Sequence, residues 1–530
     1  MHQRITGFGA SSAWTAPTMT DADSDLLFTV DKGIGLTLLR VRIPPTGCVP
    51  PENCELETAQ QAQARGATVW ATPWSPPADW KSNNDVNDGG TLLPEHADDW
   101  AGALVSYVRW MKGQGVAIAY VSAQNEPTMS VSYESCRYTA ASLADFIGSH
   151  LAPAFGAAGL DAKIIAPETV GWGDLPAFAN GLLGNSAASG SVPVVATHSY
   201  GKSPPAAYPP IAQAGKELWQ TEVYDPHSGR DPGIGSALRV AAMMHGALVN
   251  ANVNAWHYWW IYPRGADNGA LWDQLTMMPA KRLYAMGNFS RFVRPGFYRV
   301  EATAAPSPGI SVSAYFEPQS GQLVIVAINA NASPVSQRFL FDRVSPGPWT
   351  PWVTSADANL LAPADAGPSE DGADDAEIGL DATDDATTDA GATDAATDDA
   401  PTDATTGAGP TSEGATDDGV TDAGGGDADA SFSDAIPSTA PSEFVISLEP
   451  QSITTLQAVI LGPGAPVPAD VSPAGGPAGA ADDAASQSGG AGCACSTEGR
   501  RTPPHFVWGA ILALAWAVGW RRHVARRPSD

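Results

Sequence analysis

The sequence predicts a (β/α)8 barrel with an appended antiparallel β-sandwich side domain. Three observations carry this prediction. Eight short β-rich runs alternate with longer segments of helical pattern within residues 1–292, as a closed barrel of repeated βα units requires. After residue 300 the apolar pattern changes to a period of two, which is typical of antiparallel strands. The composition then changes again, to that of a solvated spacer, before a last β-rich segment completes the sandwich.

The barrel prediction depends on the spacing of the β-rich runs and on the helices between them. The runs span residues 5–12, 36–43, 68–75, 118–126, 163–168, 194–200, 217–223 and 253–260. The segment 98–115 places Trp100, Leu104 and Met111 on one helical face and ends at glycine, and 142–159 has a similar pattern. Such apolar stripes predict helices that face a protein core.

The side domain is predicted from residues 293–355 together with 442–461. The runs ISVSAYFEP and QLVIVAINA are joined by Gln319-Ser320-Gly321, which indicates an antiparallel hairpin. The run EFVISLEPQSITTLQAVI is interpreted as the last strand, after the spacer.

The spacer, residues 356–441, carries most of the net charge. Residues 356–440 contain 22 Asp and Glu and no Lys or Arg, against a net charge of −29 for the whole chain. We interpret it as a self-repelling disordered insert; calcium binding is the alternative, although no glycine-punctuated loop of fixed spacing is present. The rest of the chain is only mildly acidic and shows no basic patch interleaved with aromatic residues, so nucleic acid is not expected as a partner.

The five cysteines predict no zinc site. Cys48 and Cys54 bracket a short proline-rich loop and could form a disulfide if the protein is exported, whereas Cys136 is interpreted as a buried free thiol. No group of four cysteines has the paired spacing of a zinc ligand set.

The C-terminal region predicts export and attachment to a membrane. Residues 462–492, rich in Pro, Ala and Gly, form a tether, and the tail 493–530 contains the uncharged apolar run 506–520 followed by arginines. A short transmembrane segment with a cytoplasmic C-terminus is expected, and a cleaved sorting signal fits equally well. The cluster GCACSTEG, the apolar run and the arginines together resemble the Myxo-CTERM class of surface-sorting tails. The opening MHQRITGFG has no signal-peptide pattern, so we expect a signal peptide upstream of this start.

The ends of the eight predicted strands carry carboxylate and aromatic residues. The active site of this fold lies at the C-terminal ends of the strands, so these side chains are expected to meet there. They are Arg40, Trp74, Asn125, Glu126, Glu168, His198, Tyr200, Glu222, Trp259 and Trp260. Two carboxylates about 5–5.5 Å apart can cleave a glycosidic bond with retention, one as the nucleophile and the other as the acid and then the base.

Other reaction classes lack their motifs. The sequence contains no glycine-rich phosphate loop, no G-x-S-x-G nucleophile elbow and no HExxH helix, which weakens phosphoryl transfer, esterase and metalloprotease interpretations. No cofactor and no metal ion are therefore expected.

Family resemblance selects the carboxylate pair. Asn125-Glu126-Pro127 on the fourth run resembles the Asn-Glu-Pro of the large glycoside hydrolase clan built on this barrel. In that clan the Glu is the acid/base, the Asn holds the sugar 2-hydroxyl, and the nucleophile ends the seventh strand. Glu222 occupies that position here.

The resemblance narrows to glycoside hydrolase family 30. Segments similar to its signatures are GFGASSAW, TPWSPPADWKSN, YESC, THSYG and FSRFVRPGFYRV. Within the family the chain is most similar to bacterial endo-β-1,4-xylanases, some of which hold a glucuronic acid branch with paired arginines after strand eight. Arg264 does not fit that pattern, so arabinose-decorated or less decorated xylan becomes plausible as the substrate.

The supporting residues have more than one interpretation. Arg40 is expected to be a buried partner of the nucleophile, and His198 and Tyr200 to orient the nucleophile or the sugar. Glu168 is interpreted as a supporting or helix-capping carboxylate. The tryptophans Trp14, Trp74, Trp80, Trp259 and Trp260 are either core residues or sugar platforms, with Trp74 and Trp260 favoured as platforms.

The function hypothesis is thus an exported, surface-anchored, monomeric and retaining β-xylan hydrolase. Two alternatives stay open. One is another activity that the family hosts, namely a β-glucosidase, a β-1,6-glucanase or a glucosylceramidase. The other is a surface carbohydrate-binding protein without catalytic activity.

Overall fold

The computed structural model describes residues 1–15, 19–48, 51–265, 267–361 and 442–463. Nearly all of the predicted acidic insert and tether, and the whole tail 493–530, lie outside these residues. Among the described residues, none of the helices combines the length and the apolar character needed to cross a membrane. The apolar run 506–520 falls outside that search.

Eight parallel strands close into a barrel in sequence order, which confirms the predicted fold. They are β1 (Gly7–Ser11), β2 (Leu38–Ile43), β3 (Thr68–Pro73), β4 (Ile118–Ser122), β5 (Lys163–Thr169), β6 (Val194–His198), β7 (Glu217–Glu222) and β8 (Ala255–Trp260). Strand β8 pairs with β1 and closes the ring. Each β-rich run of the sequence contains one of these strands.

Helices and short turns connect the strands around the outside of the barrel. They are α1 (Asp21–Phe28), α2 (Leu56–Ala64), α3 (Ala97–Gly113), α4 (Ala140–Phe146), α5 (Ala152–Ala157), α6 (Leu175–Gly184), α7 (Ser186–Ser191), α8 (Pro209–Gln213), α9 (Ile234–Asn250) and α10 (Lys281–Ser290). The two helices predicted from apolar stripes correspond to α3 and to α4 with α5, which a π-helical turn over Ile147–Leu151 connects. Trp100, Leu104 and Met111 of α3 are buried, as their spacing predicts.

The barrel interior changes from apolar to polar along its axis. Trp70, Trp219 and Ile165 belong to a buried apolar cluster inside the ring, so the barrel is filled rather than hollow. Above that cluster, Gly9 of β1 leaves room for a histidine: a Cβ at Gly9 would lie 2.5 Å from His257 Cδ2. The glycine is required there by close approach, and the histidine supports the polar layer at the C-terminal ends of the strands.

The side domain is an antiparallel assembly of nine strands among the described residues. They are β9 (Tyr298–Val300), β10 (Ile310–Glu317), β11 (Gln322–Asn329), β12 (Val335–Phe341), β13 (Val344–Pro346), β14 (Thr350–Thr354), β15 (Asn359–Leu361), β16 (Ser442–Leu448) and β17 (Ser452–Pro463). One sheet has the order β15-β14-β17-β11-β10-β9 with β13 also pairing with β17, and β12 pairs with β16. The predicted hairpin corresponds to β10 and β11, which pair along their whole length.

Two details of the predicted side domain are wrong. The segment interpreted as one last strand forms two, β16 and β17, because the chain reverses through Gln451, whose φ is 43°. The start of the spacer also contains β15, which pairs with β14 and buries Leu360 to 4 % exposure. Two adjacent leucines, Leu360 and Leu361, among small and polar residues were too weak a signal to predict that strand.

Buried hydrogen bonds join the side domain to the barrel. The Asn288 side chain of α10 donates to the Ile453 carbonyl at 3.2 Å and to Thr455 Oγ1 at 3.0 Å. Thr455 Oγ1 in turn donates to the Asn288 carbonyl at 2.6 Å. Because these groups are buried, the contacts satisfy polar atoms that would otherwise destabilise the interface.

Cys48 and Cys54 form a disulfide across six positions, and Cys136 is a buried free thiol. The disulfide constrains the loop between β2 and α2. Reducing it is expected to lower the free energy of unfolding by about 2 kcal/mol, because it closes a short loop. Urea denaturation with and without dithiothreitol measures the effect, and a Cys48→Ser/Cys54→Ser variant is the control. If the reductant shifts wild type no more than the variant, the disulfide contributes nothing.

Candidate active site

The C-terminal ends of the strands bring the predicted polar residues into one cluster. Arg40 lies on β2, Glu168 on β5, His198 on β6 and Glu222 at the end of β7, while Glu126 follows β4. All five side chains are at least nine-tenths buried. Neighbouring parallel strands that end at one rim account for this convergence.

Glu126 and Glu222 face each other across a short gap. Three atoms lie within 4.8 Å of one another: one carboxylate oxygen of Glu126, one carboxylate oxygen of Glu222 and a ring nitrogen of His198. The two residues are 7 % and 6 % exposed, so each retains a small surface at the mouth of the barrel. This separation suits a retaining pair rather than an inverting pair, which needs room for a water molecule between the carboxylates.

Arg40 links three of the acidic and amide groups. Its Nη1 donates to Glu222 Oε2 at 2.5 Å, and its Nη2 donates to Asn125 Oδ1 at 2.7 Å. The same Nη2 lies 2.9 Å from Glu168 Oε1. The expectation that Arg40 is a buried partner of Glu222 agrees with this geometry, and Arg40 also orients the Asn125 amide.

Tyr200 and His198 complete the surroundings of the carboxylates. Tyr200 donates its hydroxyl to Glu222 Oε1 at 2.9 Å, so both oxygens of Glu222 accept hydrogen bonds. His198 Nδ1 lies 3.0 Å from Glu126 Oε1, within hydrogen-bond distance. The two residues therefore lie within hydrogen-bond distance of different members of the pair.

Backbone strain is concentrated at the same place. Glu126 and Glu168 have φ values of 43° and 53°, in the left-handed region that residues other than glycine seldom adopt. The Glu126 amide donates to the Glu168 carbonyl at 3.0 Å, which joins the two strained residues. Contacts with neighbouring residues thus stabilise backbone conformations of both glutamates that an isolated peptide would seldom adopt.

Electrostatics shift the ionisation of the buried groups. Burial opposes ionisation of Glu168, but the charge of Arg40 and the nearby His198 ring, whose Nε2 lies 3.5 Å from Glu168 Oε1, outweigh it and lower its pKa to about 2. Burial also opposes a charged His198, yet the Glu222, Glu126 and Glu168 carboxylates raise its pKa to about 9. Burial raises the pKa of Glu222 and the Glu126 charge adds to this, against Arg40 and His198.

These shifts predict how stability depends on pH. His198 has a folded-state pKa above its ordinary value of 6.5, so its stabilising contribution is present below pH 6.5 and lost as pH rises through about 9. Glu168 has a folded-state pKa below its ordinary value of 4.5, so its contribution is present above pH 4.5 and lost as pH falls through about 2. We therefore expect the free energy of unfolding, measured with urea, to fall as pH rises through this alkaline range.

Two histidine variants separate the sources of that pH dependence. His198→Asn is expected to flatten the alkaline decline. His245→Gln is the control, because burial lowers the pKa of His245 to about 4 and its titration ends below the alkaline range. If the decline has the same slope in His198→Asn as in wild type, the charge state of His198 is assigned wrongly.

Tryptophans form one wall of the site. The Trp74 ring lies 4.6 Å from Trp14 and 5.9 Å from Trp259 between ring centroids, and the Arg40 guanidinium lies 4.6 Å from the Trp74 centroid. Trp260 stacks behind Trp259 at 4.9 Å and has no ring contact with Trp14 or Trp74 among the described residues. The Trp259 ring, by contrast, lies 6.3 Å from the Trp14 ring and 5.7 Å from the Arg40 guanidinium carbon, so Trp259 rather than Trp260 belongs to this wall.

Arg264 lies on the loop between β8 and α10 and is exposed. Within the part of the chain that the structure describes, it makes no ion pair with a carboxylate and no hydrogen bond to the catalytic cluster. Arg264 and Trp260 are thus the predicted site residues that the structure brings neither into the cluster nor into the tryptophan wall.

Glu168, which was interpreted as a supporting or helix-capping carboxylate, lies inside the cluster with 0 % exposure, near the end of β5 and not at a helix terminus. Sequence reasoning missed other parts of the site. Tyr133 was not selected, although burial first, and then the charges of Glu126 and Glu222, raise its pKa. Arg42 pairs with Glu134 and lies 5.1 Å from the Trp14 ring centroid. Tyr133 and Glu134 belong to the YESC segment, so that motif was the available signal.

Glu126, His198 and Glu222 have the donor types and proximity of a metal site. The Arg40 guanidinium already contacts Glu222 Oε2 at 2.5 Å, and a raised pKa favours the protonated, non-ligating form of His198. A divalent cation would add positive charge to a cluster that already holds two cationic groups. These residues therefore fit acid–base chemistry better than metal binding.

Comparison with known proteins assigns the family. Residues 53–219 match the model of the glycosyl hydrolase family 30 TIM-barrel domain. The chain is 32 % identical over 375 residues to glucuronoxylanase XynC of Bacillus subtilis strain 168, an alignment that covers 68 % of this chain and 83 % of that protein.

Two solved structures have the same architecture. A family 30 subfamily 8 xylanase, Xyn30A of Clostridium acetobutylicum, superposes with a TM-score of 0.65 at 29 % identity, covering 86 % of this chain and 97 % of that one. A family 30 endoxylanase of Clostridium papyrosolvens C71 gives a TM-score of 0.61 at 29 % identity with the same coverage. This chain belongs to glycoside hydrolase family 30.

Proposed function

We propose that this protein is a retaining glycoside hydrolase that cleaves the β-1,4-linked backbone of xylan, with Glu222 as the nucleophile and Glu126 as the acid/base. The observation that carries the proposal is the approach of the two carboxylates to within 4.8 Å at the mouth of a family 30 barrel. The relatives named as xylanases and as a glucuronoxylanase support the choice of xylan.

The reaction proceeds in two displacements. In the first, a Glu222 oxygen attacks the anomeric carbon while Glu126 gives its proton to the departing glycosidic oxygen, which leaves a glycosyl ester on Glu222. In the second, Glu126 removes a proton from water as that water attacks the anomeric carbon and Glu222 departs. Two inversions give net retention, and both carboxyl groups return to their starting protonation states.

Both oxygens of Glu222 accept hydrogen bonds, as suits the nucleophile of this proposal. Arg40 and Tyr200 donate to them at 2.5 and 2.9 Å, which stabilises the negative charge of an attacking carboxylate. The proposal therefore assigns the proton needed in the first displacement to Glu126.

Asn125 and the tryptophan wall position the sugar in this proposal. Arg40 holds Asn125 Oδ1, so the amide nitrogen serves as the donor to the sugar 2-hydroxyl. The half-buried rings of Trp14 and Trp259 offer apolar faces for the xylose units, and Trp74, which is 2 % exposed, packs against both of them.

The exposure of Arg264 bears on whether the enzyme requires a glucuronate branch on its xylan substrate. Strong recognition of a glucuronate carboxylate needs a fixed, desolvated and bidentate arginine, whereas an exposed ion pair contributes only about 0–1 kcal/mol. Because Arg264 is exposed, we expect cleavage that does not depend on a glucuronate branch. Arg264→Ala should lower kcat/KM on glucuronoxylan by less than about fivefold.

Parallel digestion of glucuronoxylan and arabinoxylan, with the products identified by mass, tests the substrate proposal. Cleavage of both polymers is the expected result. Products cut only beside a glucuronate branch, with a large loss in Arg264→Ala, would contradict independence from the branch. No cleavage of xylan together with cleavage of β-1,6-glucan would show a different activity within the same family.

We also propose that the enzyme is exported and displayed at the cell surface. The apolar run 506–520 with its following arginines supports attachment, and the Cys48–Cys54 disulfide suits an oxidising compartment. Protease treatment of intact cells is expected to remove xylanase activity from the cell surface, and activity confined to the cytosol would contradict export.

A further inference from the structure

His198 contacts all three carboxylates of the cluster. Its Nδ1 lies 3.0 Å from Glu126 Oε1, while its Nε2 lies 3.5 Å from Glu168 Oε1 and 3.8 Å from Glu222 Oε2. The ring is fully buried, so its proton positions are set by these neighbours and not by solvent.

Glu168 contacts residues on two other strands, although it takes no part in bond cleavage. Arg40 lies 2.9 Å from its Oε1, and Thr72 Oγ1 donates to its Oε2 at 3.0 Å. Burying an ionised carboxylate costs free energy of folding even when two other strands supply its contacts. This cost suggests a functional role for Glu168.

The ionised Glu168 favours a proton on His198 Nε2, because that nitrogen faces two carboxylates. A neutral ring with its single proton on Nε2 would present a bare Nδ1 to Glu126 and would accept the acidic proton of Glu126. A doubly protonated ring instead donates from Nδ1 to Glu126 Oε1. That oxygen is then occupied, and the acidic proton must lie on Oε2.

We propose that Glu168 is a positioning residue that acts through a doubly protonated His198 to keep the acidic proton of Glu126 on Oε2, the oxygen that protonates the leaving group. The proposal rests on the proposed role of Glu126 as the acid. During the first displacement the Oε2 proton passes to the glycosidic oxygen and His198 retains both of its protons. During the second displacement Oε2 takes the proton from water.

The other charged or titratable groups around His198 agree with this arrangement. Arg40 pairs with Glu168 and Glu222, and Tyr200 donates to Glu222. His257 on β8 accepts from Trp70 Nε1 at 3.1 Å, and burial lowers its pKa to about 3, so it stays neutral and leaves the charge to His198. The Glu222 and Glu168 carboxylates facing His198, which stay ionised in this arrangement, raise its pKa against the effect of burial.

Leaving-group dependence tests this role. Protonation matters for a poor leaving group such as phenolate and hardly at all for dinitrophenolate. Glu168→Gln is expected to lower kcat/KM for phenyl β-xylobioside by about 30–100-fold and for dinitrophenyl β-xylobioside by less than about fivefold, because only the acid function is impaired. The alkaline limb of the pH profile for the phenyl substrate should also move to lower pH.

Glu217→Gln is the matched control. Glu217 begins β7 at the opposite end of the barrel, where it accepts hydrogen bonds from Thr6 at 2.7 Å and Trp219 at 2.6 Å. An amide oxygen can accept the same bonds, so the ratio of the two kcat/KM values should equal that of wild type. Equal losses on both substrates in Glu168→Gln would overturn the proposal, because they would indicate a structural role alone.

Nitrogen NMR of His198 in the wild-type enzyme gives a second test, which does not depend on whether a variant folds. Both ring nitrogens should carry protons at neutral pH, and a singly protonated ring would overturn the proposal. Glu126→Ala separates this question from the proposed function. If that variant lost activity equally on both substrates, Glu126 would not be the acid, whatever the role of Glu168.

Discussion

Replacing Glu222 by alanine is expected to lower kcat/KM on aryl xylobiosides by about 10⁴–10⁶-fold, the range seen when a nucleophile is removed from an enzyme site. Arg40 and Tyr200 would then face a cavity that accepts a small anion, since the carboxylate they contact at 2.5 and 2.9 Å is absent. Azide should therefore restore turnover and give a glycosyl azide of inverted, α configuration.

The stereochemistry of that product separates the two carboxylates. A β-glycosyl azide from Glu222→Ala would assign the acid/base role to Glu222 instead. Activity that stays within about tenfold of wild type would remove Glu222 from the mechanism altogether.

Replacing Glu126 by alanine is expected to lower kcat/KM for phenyl β-xylobioside by about 10²–10⁴-fold, because the leaving oxygen would depart without a proton. The loss on the dinitrophenyl substrate should be much smaller, since that group leaves readily as an anion. Azide should then accept the glycosyl group from Glu222 and give the β-glycosyl azide, measured by proton NMR of the anomeric signal. An α product, or equal losses on both substrates, would contradict the acid/base assignment.

The site could be predicted from the sequence largely because the residues that end the strands of this barrel meet at one rim. Once eight runs were counted, Glu126 after the fourth and Glu222 at the end of the seventh had to share a rim. Arg40, His198 and Tyr200 were found by the same reasoning, since each also ends a strand.

The features of the site that were not predicted depend on the orientation of side chains, which a sequence pattern does not determine. Whether Trp259 or Trp260 faces the site depends on an irregularity in the pairing of β8 with β1 between Tyr258 and Trp260, which a period of two does not predict. The role of Glu168 depends on contacts with Arg40 and His198 on other strands. Tyr133 lies on a loop after β4, where no strand end directs it towards the cluster.

Trapping the covalent intermediate tests the central claim most directly. A xylobioside with fluorine in place of the 2-hydroxyl and an activated leaving group should form the glycosyl ester and then turn over slowly, because the fluorine destabilises both transition states. Mass spectrometry of the digested enzyme is predicted to find the sugar on Glu222, in the segment ELWQTEV that ends β7. A sugar attached to Glu126 or Glu168, or active enzyme that never forms an adduct, would contradict the account.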